Sequence, residues 1–306
     1  VRMVERTQNW HHPDSFDPTP IEQGIGVYYG DMVYGKVSFA IIEDRKFKSG
    51  PAGRVNYWKG RPDHVRDPNF DPKSIDKPGL KLLGDRQLKF LDAWAQDWKG
   101  AYLKTVLSQT IFCNLANYHG GGQMFLVADL DSNGWPQSAR HKAVRAIRKG
   151  FAFHCAGDQH LPSIVHQGIE KHGDSFYSFC VPSIAAGYPR AWRPDMEGQA
   201  VDNRPKGGGP NTGDYEDGFG LPVRVYAIGN PAFKNRRGTL PTLHDKSSGY
   251  GIVRFNTEKQ TITIECWRLL FDAAKPKPTD QFPGWPKTIH MMDNYGRVAV
   301  DYLPAI

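Results

Sequence analysis

Four consecutive residues, Gly157-Asp158-Gln159-His160, combine side chains that suit metal binding. They follow a short apolar run, 151–156, which predicts a buried strand that ends at the glycine. A carboxylate and an imidazole two residues apart on a tight loop can both reach one metal ion. The sequence therefore predicts a metal-binding loop with Asp158 and His160 as ligands. On spacing alone, the alternative is an aspartate-capped helix start with a chance histidine.

A second polar turn, 131–136, follows another apolar run, 124–128. If both runs are strands of one sheet, this turn lies beside the first loop along the same edge. Asp131 and Asn133 offer oxygen ligands or hydrogen bonds to a phosphate, and Trp135 can wall the site. The alternative is a simple Asn-Gly turn with a packing tryptophan.

Arginine and histidine side chains lie close to these turns in the sequence. Arg140 stands near the start of a predicted helix, 137–149, where it could contact an anionic substrate, and a solvated helix face is the alternative. His154 lies inside an apolar run, which indicates a histidine of the core.

Composition excludes several classes of protein. The chain has 306 residues, 39% of them hydrophobic, so it can bury a large core and disorder is not expected. The formal net charge is +7, but Lys and Arg are scattered, which favours a solvated basic surface over a polyanion-binding patch. The four cysteines lie far apart and indicate neither a disulfide framework nor a zinc site. No stretch is apolar enough to predict a membrane span.

The elements that must position the candidate residues alternate between strands and helices. The pattern predicts a layered α/β core whose polar loops lie along one sheet edge, followed by a β-rich segment. Long segments without a period, 46–79 and 195–220, are predicted as functional or surface loops. The expected helices are 85–98 and 137–149, and the expected strands are 26–29, 33–42, 102–107, 124–128, 151–156, 176–181, 223–228, 249–255, 261–267 and 298–302.

In order along the chain, several runs resemble the successive motifs of the alkaline phosphatase D-like (PhoD-type) metallophosphatases. The resemblance implies the C-terminal half of a four-layered α/β/β/α sandwich with a di- or trinuclear metal centre. It also implies hydrolysis of phosphate mono- and diesters. The runs that carry it are 39–49, 82–98, 131–140, 156–160, 177–184 and 247–267.

The resemblance assigns roles to individual residues. Asp158 and His160 match the family's late Gly-Asp-x-His motif and are therefore expected to bind metal. Asn133 stands where many members have the aspartate of an Asp-Gly-Tyr-Pro turn, so that carboxylate is replaced here. Asp44 and Arg45 resemble an Asp-Thr-Arg segment at a strand end, and we expect them to support the sheet edge.

The family's early motifs have no match in this sequence and are expected before Val1. We therefore expect residues 1–240 to be the C-terminal portion of the catalytic domain, with a β-rich segment, 241–306, packed on it. The catalytic residues should also precede Val1, so the chain as given should be weakly active or inactive. The implied cofactors are Ca, Fe, Mn or Zn ions. The implied substrates are phosphorylated small molecules or phosphodiesters, nucleic acid being possible but not required, and the implied location is extracytoplasmic or secreted.

Two other classes of function stay open at this point. One is a catalytically degenerate binding protein that keeps the phosphoesterase scaffold. The other is a carbohydrate-binding or surface-binding module that uses Trp192, Trp267 and Trp285, although tryptophans of this kind are more often anchors of the core or of loops.

Overall fold

The structure is a computed structural model that describes residues 1–55, 61–184, 187–195, 201–206, 208–277 and 279–295. It is a mixed α/β chain with a large central sheet and few helices, as the sequence predicts. Strands and helices are numbered along the chain. The strands are β1 (Gly30–Tyr34), β2 (Val37–Ile41), β3 (His64–Val65), β4 (Leu103–Leu107), β5 (Tyr118–His119), β6 (Met124–Phe125), β7 (Ala128–Asp129), β8 (Phe153–Ala156), β9 (Ser163–Gln167), β10 (Tyr177–Cys180), β11 (Arg190–Ala191), β12 (Gly213–Glu216), β13 (Pro222–Ile228), β14 (Gly249–Asn256), β15 (Thr261–Arg268) and β16 (Lys287–His290).

The helices are fewer and mostly short. No helix among the described residues is long and apolar enough to cross a membrane. The α-helices are α1 (Arg2–Val4), α2 (Asp44–Phe47), α3 (Gly84–Gln96), α4 (Gln137–Arg148) and α5 (Thr239–Asp245), with a π-helical turn at Glu5–Asn9 and 3₁₀ turns at Glu22–Gly24, Pro72–Ile75 and Met291–Tyr295.

Eight strands form the central sheet, in the order β1-β2-β4-β8-β10-β9-β13-β12. The four strands β2, β4, β8 and β10 run parallel, and the other neighbouring pairs are antiparallel. The carboxyl ends of the four parallel strands therefore share one edge of the sheet. Polar loops leave from that edge, which is where open α/β sheets bind ligands.

Helices α3 and α4 cover one face of the central sheet. Each has an apolar stripe at helical spacing, and the stripes meet in one buried cluster that also takes in side chains from β2 and β4. Phe90, Leu91 and Trp94 contribute from α3, and Val144 and Ile147 contribute from α4. Burial of these stripes fixes both helices against the sheet.

A smaller antiparallel sheet, in the order β14-β15-β16, covers the other face. Ile262 and Ile264 of β15 share a buried cluster with Phe153 of β8 and Phe179 of β10. Gly251 allows this approach, because a Cβ atom there would lie 2.5 Å from a ring carbon of Phe179. The described elements thus form three layers, namely helices, large sheet and small sheet.

Several expectations have definite outcomes in this architecture. The mixed α/β class agrees with the structure, whereas a fourth layer and the division into two segments at residue 240 stay predictions. The predicted loop 46–79 contains β3, and the predicted loop 195–220 contains β12. The predicted strand 298–302 lies outside the described residues.

The predicted strand 124–128 is not a strand of the central sheet. It is divided into β6 and β7, which belong to two different small sheets. The pairing partner of β7 is β3, from the long loop, so the polar turn that follows β7 is not attached to a strand of the central sheet, contrary to the prediction.

Candidate metal centre

Three buried side chains from three different strands converge beside the central sheet. His64 of β3 and Asp129 of β7 are direct partners in the two-stranded sheet, and His119 of β5 lies against them. One potential ligand atom from each residue lies within 4.8 Å of the other two. The rings of His64 and His119 meet edge to face, with their centroids 5.1 Å apart. Two imidazoles and a carboxylate so placed form a candidate metal site.

Most of the polar atoms of this triad have no hydrogen-bond partner among the described residues. Both ring nitrogens of His64, Nδ1 of His119 and Oδ2 of Asp129 are buried and unpaired. Unpaired buried polar atoms are costly, and native structures keep few of them. A bound cation would satisfy the lone pairs of all three residues at once, so the donor set fits a metal ion.

The His119 ring is oriented by the backbone. Its Nε2 lies 3.2 Å from the carbonyl oxygen of Ala116. In the tautomer with its proton on Nε2, this contact fixes the ring and leaves the lone pair on Nδ1. Asp129 is oriented similarly, because its Oδ1 accepts the amide N–H of Asp131 at 3.0 Å.

Burial sets the protonation of the triad. It lowers the pKa of His119 to about 3, with help from the nearby Arg190 charge, and it also lowers the pKa of His64. Both rings are therefore neutral near pH 7, which is the form that binds metal. Burial raises the pKa of Asp129, which shows the cost of a buried carboxylate without enough positive charge beside it.

Arg190 joins the triad to the predicted metal-binding loop. It pairs with His119 across β11 and β5, and its Nη2 lies 3.6 Å from Oδ2 of Asp129. Its Nη1 donates to the backbone carbonyl of Asp158 at 3.4 Å, and its Nε has no partner among the described residues. The guanidinium thus has donor capacity left over beside the triad.

Asp158 and His160 occupy an unusual loop at the carboxyl end of β8. Both residues have positive φ, 66° and 51°, and such values in residues other than glycine are uncommon. Gly157 does not need its freedom, since its φ is not positive and a Cβ atom there would meet no atom closer than 3.8 Å. The sharp turn thus depends on the two predicted ligands rather than on the glycine.

The side chains of Asp158 and His160 have different partners. Oδ2 of Asp158 lies 3.4 Å from Nη2 of Arg45. Nδ1 of His160 bonds the carbonyl oxygen of Tyr188 at 2.7 Å, which leaves Nε2 as an acceptor. Neither residue belongs to the triad, and their role as metal ligands stays a prediction.

Asp131 and Asp158 are brought together by one arginine. Arg45 makes a bidentate pair with Asp131, with Nη2 to Oδ2 at 2.9 Å, and the same Nη2 also faces Asp158. Because Asp131 also bonds Asp129 through its amide, the two predicted polar turns and the triad are contiguous.

Asn133, Trp135 and Arg140 are placed differently from what the sequence suggested, because all three are fully buried. Nδ2 of Asn133 donates to Asp44 at 2.6 Å, and the indole N–H of Trp135 donates to the carbonyl of Ile75 at 3.0 Å. None of the three side chains is open to a ligand in this structure. Trp135 thus packs within the fold here, and its role at a site stays a prediction.

Arg140 is not part of a solvated helix face. Its Nε donates to the carbonyl of Phe112, its Nη1 to the carbonyl of Gly168, and its Nη2 to Oε1 of Gln167, at 2.5 to 2.9 Å. The side chain therefore ties α4 to two loops. The guanidinium is therefore bonded within the fold, and a contact between Arg140 and a substrate stays a prediction.

Sequence reasoning missed His64 and His119 because their spacing carries no signal. Each comes from a two-residue strand, and although the pairing of β3 with β7 brings His64 to Asp129, His119 reaches them from a different small sheet. The available clue was Asp129 itself, which opens the polar stretch that the sequence had already singled out.

No protein-family model and no curated protein matches the sequence. Among solved structures, the chain is similar to one titled "Structure of PhoD", with a TM-score of 0.47 and 15% sequence identity. The similarity covers 88% of this chain and 43% of that chain, so this chain spans less than half of that protein's length.

Proposed function

We propose that this chain is part of a metal-dependent hydrolase of phosphate mono- or diesters, with one ion held by His64, His119 and Asp129. The observation that carries the proposal is the buried triad, whose ligand atoms lie within 4.8 Å of one another and largely lack partners. The ordered motifs in the sequence support the same activity. The proposal includes the four-layered scaffold.

The donor set narrows the choice of metal. Two imidazoles and one carboxylate suit Zn, Mn or Fe, whereas Ca²⁺ is bound by six to eight oxygens. Of the four ions that the sequence resemblance implies, Ca is therefore the least suited to this triad.

The protein's own groups have separable roles in such a reaction. A bound ion would polarise a phosphoryl oxygen of the substrate and lower the pKa of a water molecule bound to it. His119 is oriented for that ion by Ala116, and Asp129 is oriented by the amide of Asp131. Arg190 lies beside Asp129 with an unpaired Nε, so it can donate to the oxygens of a phosphate ester.

We further propose that Asp158 and His160 bind a second ion of the complete centre. Arg45 holds Asp158 near Asp131, and Tyr188 holds the His160 ring so that Nε2 is available. Four further residues then support the loops. Asn133 donates to Asp44, Asp131 is paired with Arg45, and Trp135 and Arg140 are buried within the fold.

The test is the hydrolysis of bis-p-nitrophenyl phosphate and p-nitrophenyl phosphate by a longer protein that contains this chain, with Zn, Mn or Fe added. Asp129→Asn should lower turnover at least about 100-fold, because it weakens a ligand at the same size. Asp67→Asn, a change at an exposed aspartate, is the matched control and should leave turnover unchanged.

Two results would reject the proposal. Turnover that survives in Asp129→Asn would place the chemistry elsewhere. The absence of turnover with every metal, together with negligible metal content, would instead favour the degenerate binding protein on the same scaffold.

A further inference from the structure

A second polar cavity lies at the end of the central sheet opposite the metal centre. It has a volume of about 550 Å³ and opens where β9 ends and β10 begins, whereas the candidate metal centre adjoins the carboxyl ends of the parallel strands. Three cationic residues and two histidines contribute to its lining. The lining residues are His166, Lys171, His172, Gly173, Tyr177, Arg224, Tyr226, Lys287 and Asp293.

Lys287 brings a partly buried ammonium group to this cavity. Its Nζ lies 4.0 Å from the ring centroid of Tyr226 and 5.5 Å from that of Tyr177. Within the described residues it forms no ion pair with a carboxylate, and burial lowers its pKa. The Asp293 carboxylate acts on this ammonium from across the cavity without an ion pair to it, so the ammonium keeps its donors for an anionic ligand.

Arg224 and His166 face each other across the space that Gly173 leaves empty. Nε and Nη2 of Arg224 bind Asp214 at 2.5 and 2.9 Å, so Nη1 lies outside that pair. A Cβ atom on Gly173 would lie 3.2 Å from Nδ1 of His166 and 3.4 Å from Nη1 of Arg224. A side chain at position 173 would therefore fill the gap between these two atoms.

His166 contributes an acceptor rather than a donor. Its Nε2 lies 2.6 Å from the carbonyl oxygen of Ser175, so Nε2 carries the proton and Nδ1 carries a lone pair. Nδ1 is buried and makes no hydrogen bond of ordinary length among the described residues, the backbone of Asp293 lying nearby, and the ring is stacked on Tyr177 with the centroids 4.1 Å apart. The carboxylate of Asp293, which accepts the amide of His290 at 2.9 Å, is a further acceptor at the cavity.

We propose that this cavity binds a phosphate group that retains one proton, either as free inorganic phosphate or on a small phosphorylated molecule. Lys287 and Arg224 donate to its charged oxygens, while Nδ1 of His166 accepts its P–O–H. This pairing of donors with an acceptor selects phosphate over sulfate, because sulfate has no proton to give near neutral pH. The proposal stands independently of the metal centre.

The test is calorimetric titration of the full chain at pH 6 with inorganic phosphate, sulfate and glycerol 3-phosphate. At that pH a phosphate monoester, with a second pKa near 6, still carries a proton in about half of its molecules. Phosphate should bind at least about 10-fold more tightly than sulfate, since an acceptor left unpaired by sulfate is costly. Tighter binding of glycerol 3-phosphate would identify a phosphorylated molecule as the ligand, and weaker binding would identify free phosphate.

Two variants separate this cavity from other sites. Lys287→Met keeps the packing on Tyr226 but removes the charge, and it should weaken phosphate at least about 10-fold. Lys36→Met is the matched control, because Lys36 also lies over a tyrosine ring, that of Tyr102 at 5.2 Å, but far from the cavity in the sheet order. Circular dichroism checks that each variant is folded.

The proposal fails if the wild type binds no phosphate, or if sulfate binds as tightly as phosphate. It also fails if Lys287→Met binds phosphate like the wild type, and a loss of binding in Asp129→Asn would then locate the anion at the metal centre. Loss of the hydrolase activity in the longer protein would leave this proposal untouched, so the two can fail separately.

Discussion

Asp129 is the residue on which the candidate metal centre depends most. Its Oδ1 is held by the amide of Asp131, and its Oδ2 faces both Nε2 of His119 at 3.9 Å and Nη2 of Arg190 at 3.6 Å. The Arg190 contact partly offsets the buried negative charge. A metal ion bound to the triad would compete with Arg190 for Oδ2 of Asp129.

Substitution of Arg190 should change metal affinity and catalytic efficiency in opposite directions. Arg190→Met removes a positive charge beside the ligands, so metal affinity should rise by a few fold. The same change removes a donor for phosphate oxygens, so kcat/KM for bis-p-nitrophenyl phosphate should fall at least about 10-fold. Metal titration and steady-state kinetics on one preparation measure both. A fall in metal affinity would show that Arg190 only supports the fold.

Single residues also mark where sequence reasoning stops. Arg140 stands on a helix with charged neighbours, and nothing in that pattern distinguishes a solvated arginine from one that bonds three buried oxygens. His154 could be predicted as a core histidine, because apolar residues surround it in the sequence, and it is fully buried. Local pattern identifies burial on a strand more readily than on a polar helix face.

At the scale of elements, the polar loops at the sheet edge are fixed by a few buried charges. The Asp44 carboxylate accepts the amides of Gln109 and Thr110 at 3.3 and 3.2 Å, and it also accepts Nδ2 of Asn133. Lys48 donates to three successive carbonyls of the turn that begins at Leu130, at 2.7 to 3.0 Å. The expected supporting role of Asp44 therefore has a physical basis.

Removing that carboxylate should destabilise the chain. Asp44→Ala leaves two amides and one side-chain donor without their acceptor in a buried region, which should cost about 2–4 kcal/mol of unfolding free energy. Denaturant unfolding measures the change. Asp202→Ala, at an exposed aspartate, should cost less than about 0.5 kcal/mol. Equal stabilities for the two variants would mean that the loops are held without Asp44.

The elements themselves were largely predictable, because hydrophobic periodicity is a local property. Strands β2, β4, β8, β10 and β13 and both long helices lie close to their predicted positions, whereas β9 was not predicted, β12 lies in a predicted loop and β1 is displaced from its predicted position. The small strands β3, β5 and β7 were not predictable, since two residues carry no period, and β3 pairs with β7 and β5 with β11, partners that are distant in the chain. The metal triad lies on these three strands, which is why the candidate site was only partly foreseen.

For the whole molecule, buried histidines make stability depend on pH. Burial lowers the pKa of His154 to about 3 and that of His166 to about 4, so both stay neutral in the folded chain while the unfolded chain protonates them below about 6.5. Each favours unfolding as the pH falls. Burial also raises the pKa of Asp217 to about 6, and this group works in the opposite direction between its ordinary pKa and that value.

The net effect has a definite sign. Burial lowers the pKa of four histidines, His119, His141, His154 and His166, against the raised pKa of Asp217, so the unfolding free energy should fall by at least about 1.4 kcal/mol for each unit of pH between about 6 and 4. Urea unfolding at pH 6, 5 and 4, in the presence of a chelator, measures this slope. Stability that is constant or rises toward pH 4 would show that these histidines are protonated in the folded chain.

The central claim is that His64, His119 and Asp129 bind a metal ion. Competitive titration of the chain with Zn²⁺ against a fluorescent chelator tests this most directly, without any need for turnover. We expect tight binding by the wild type and by Asp67→Asn, and at least about 100-fold weaker binding by Asp129→Asn. Equal affinity in all three proteins, or no binding by the wild type, would contradict the metal centre.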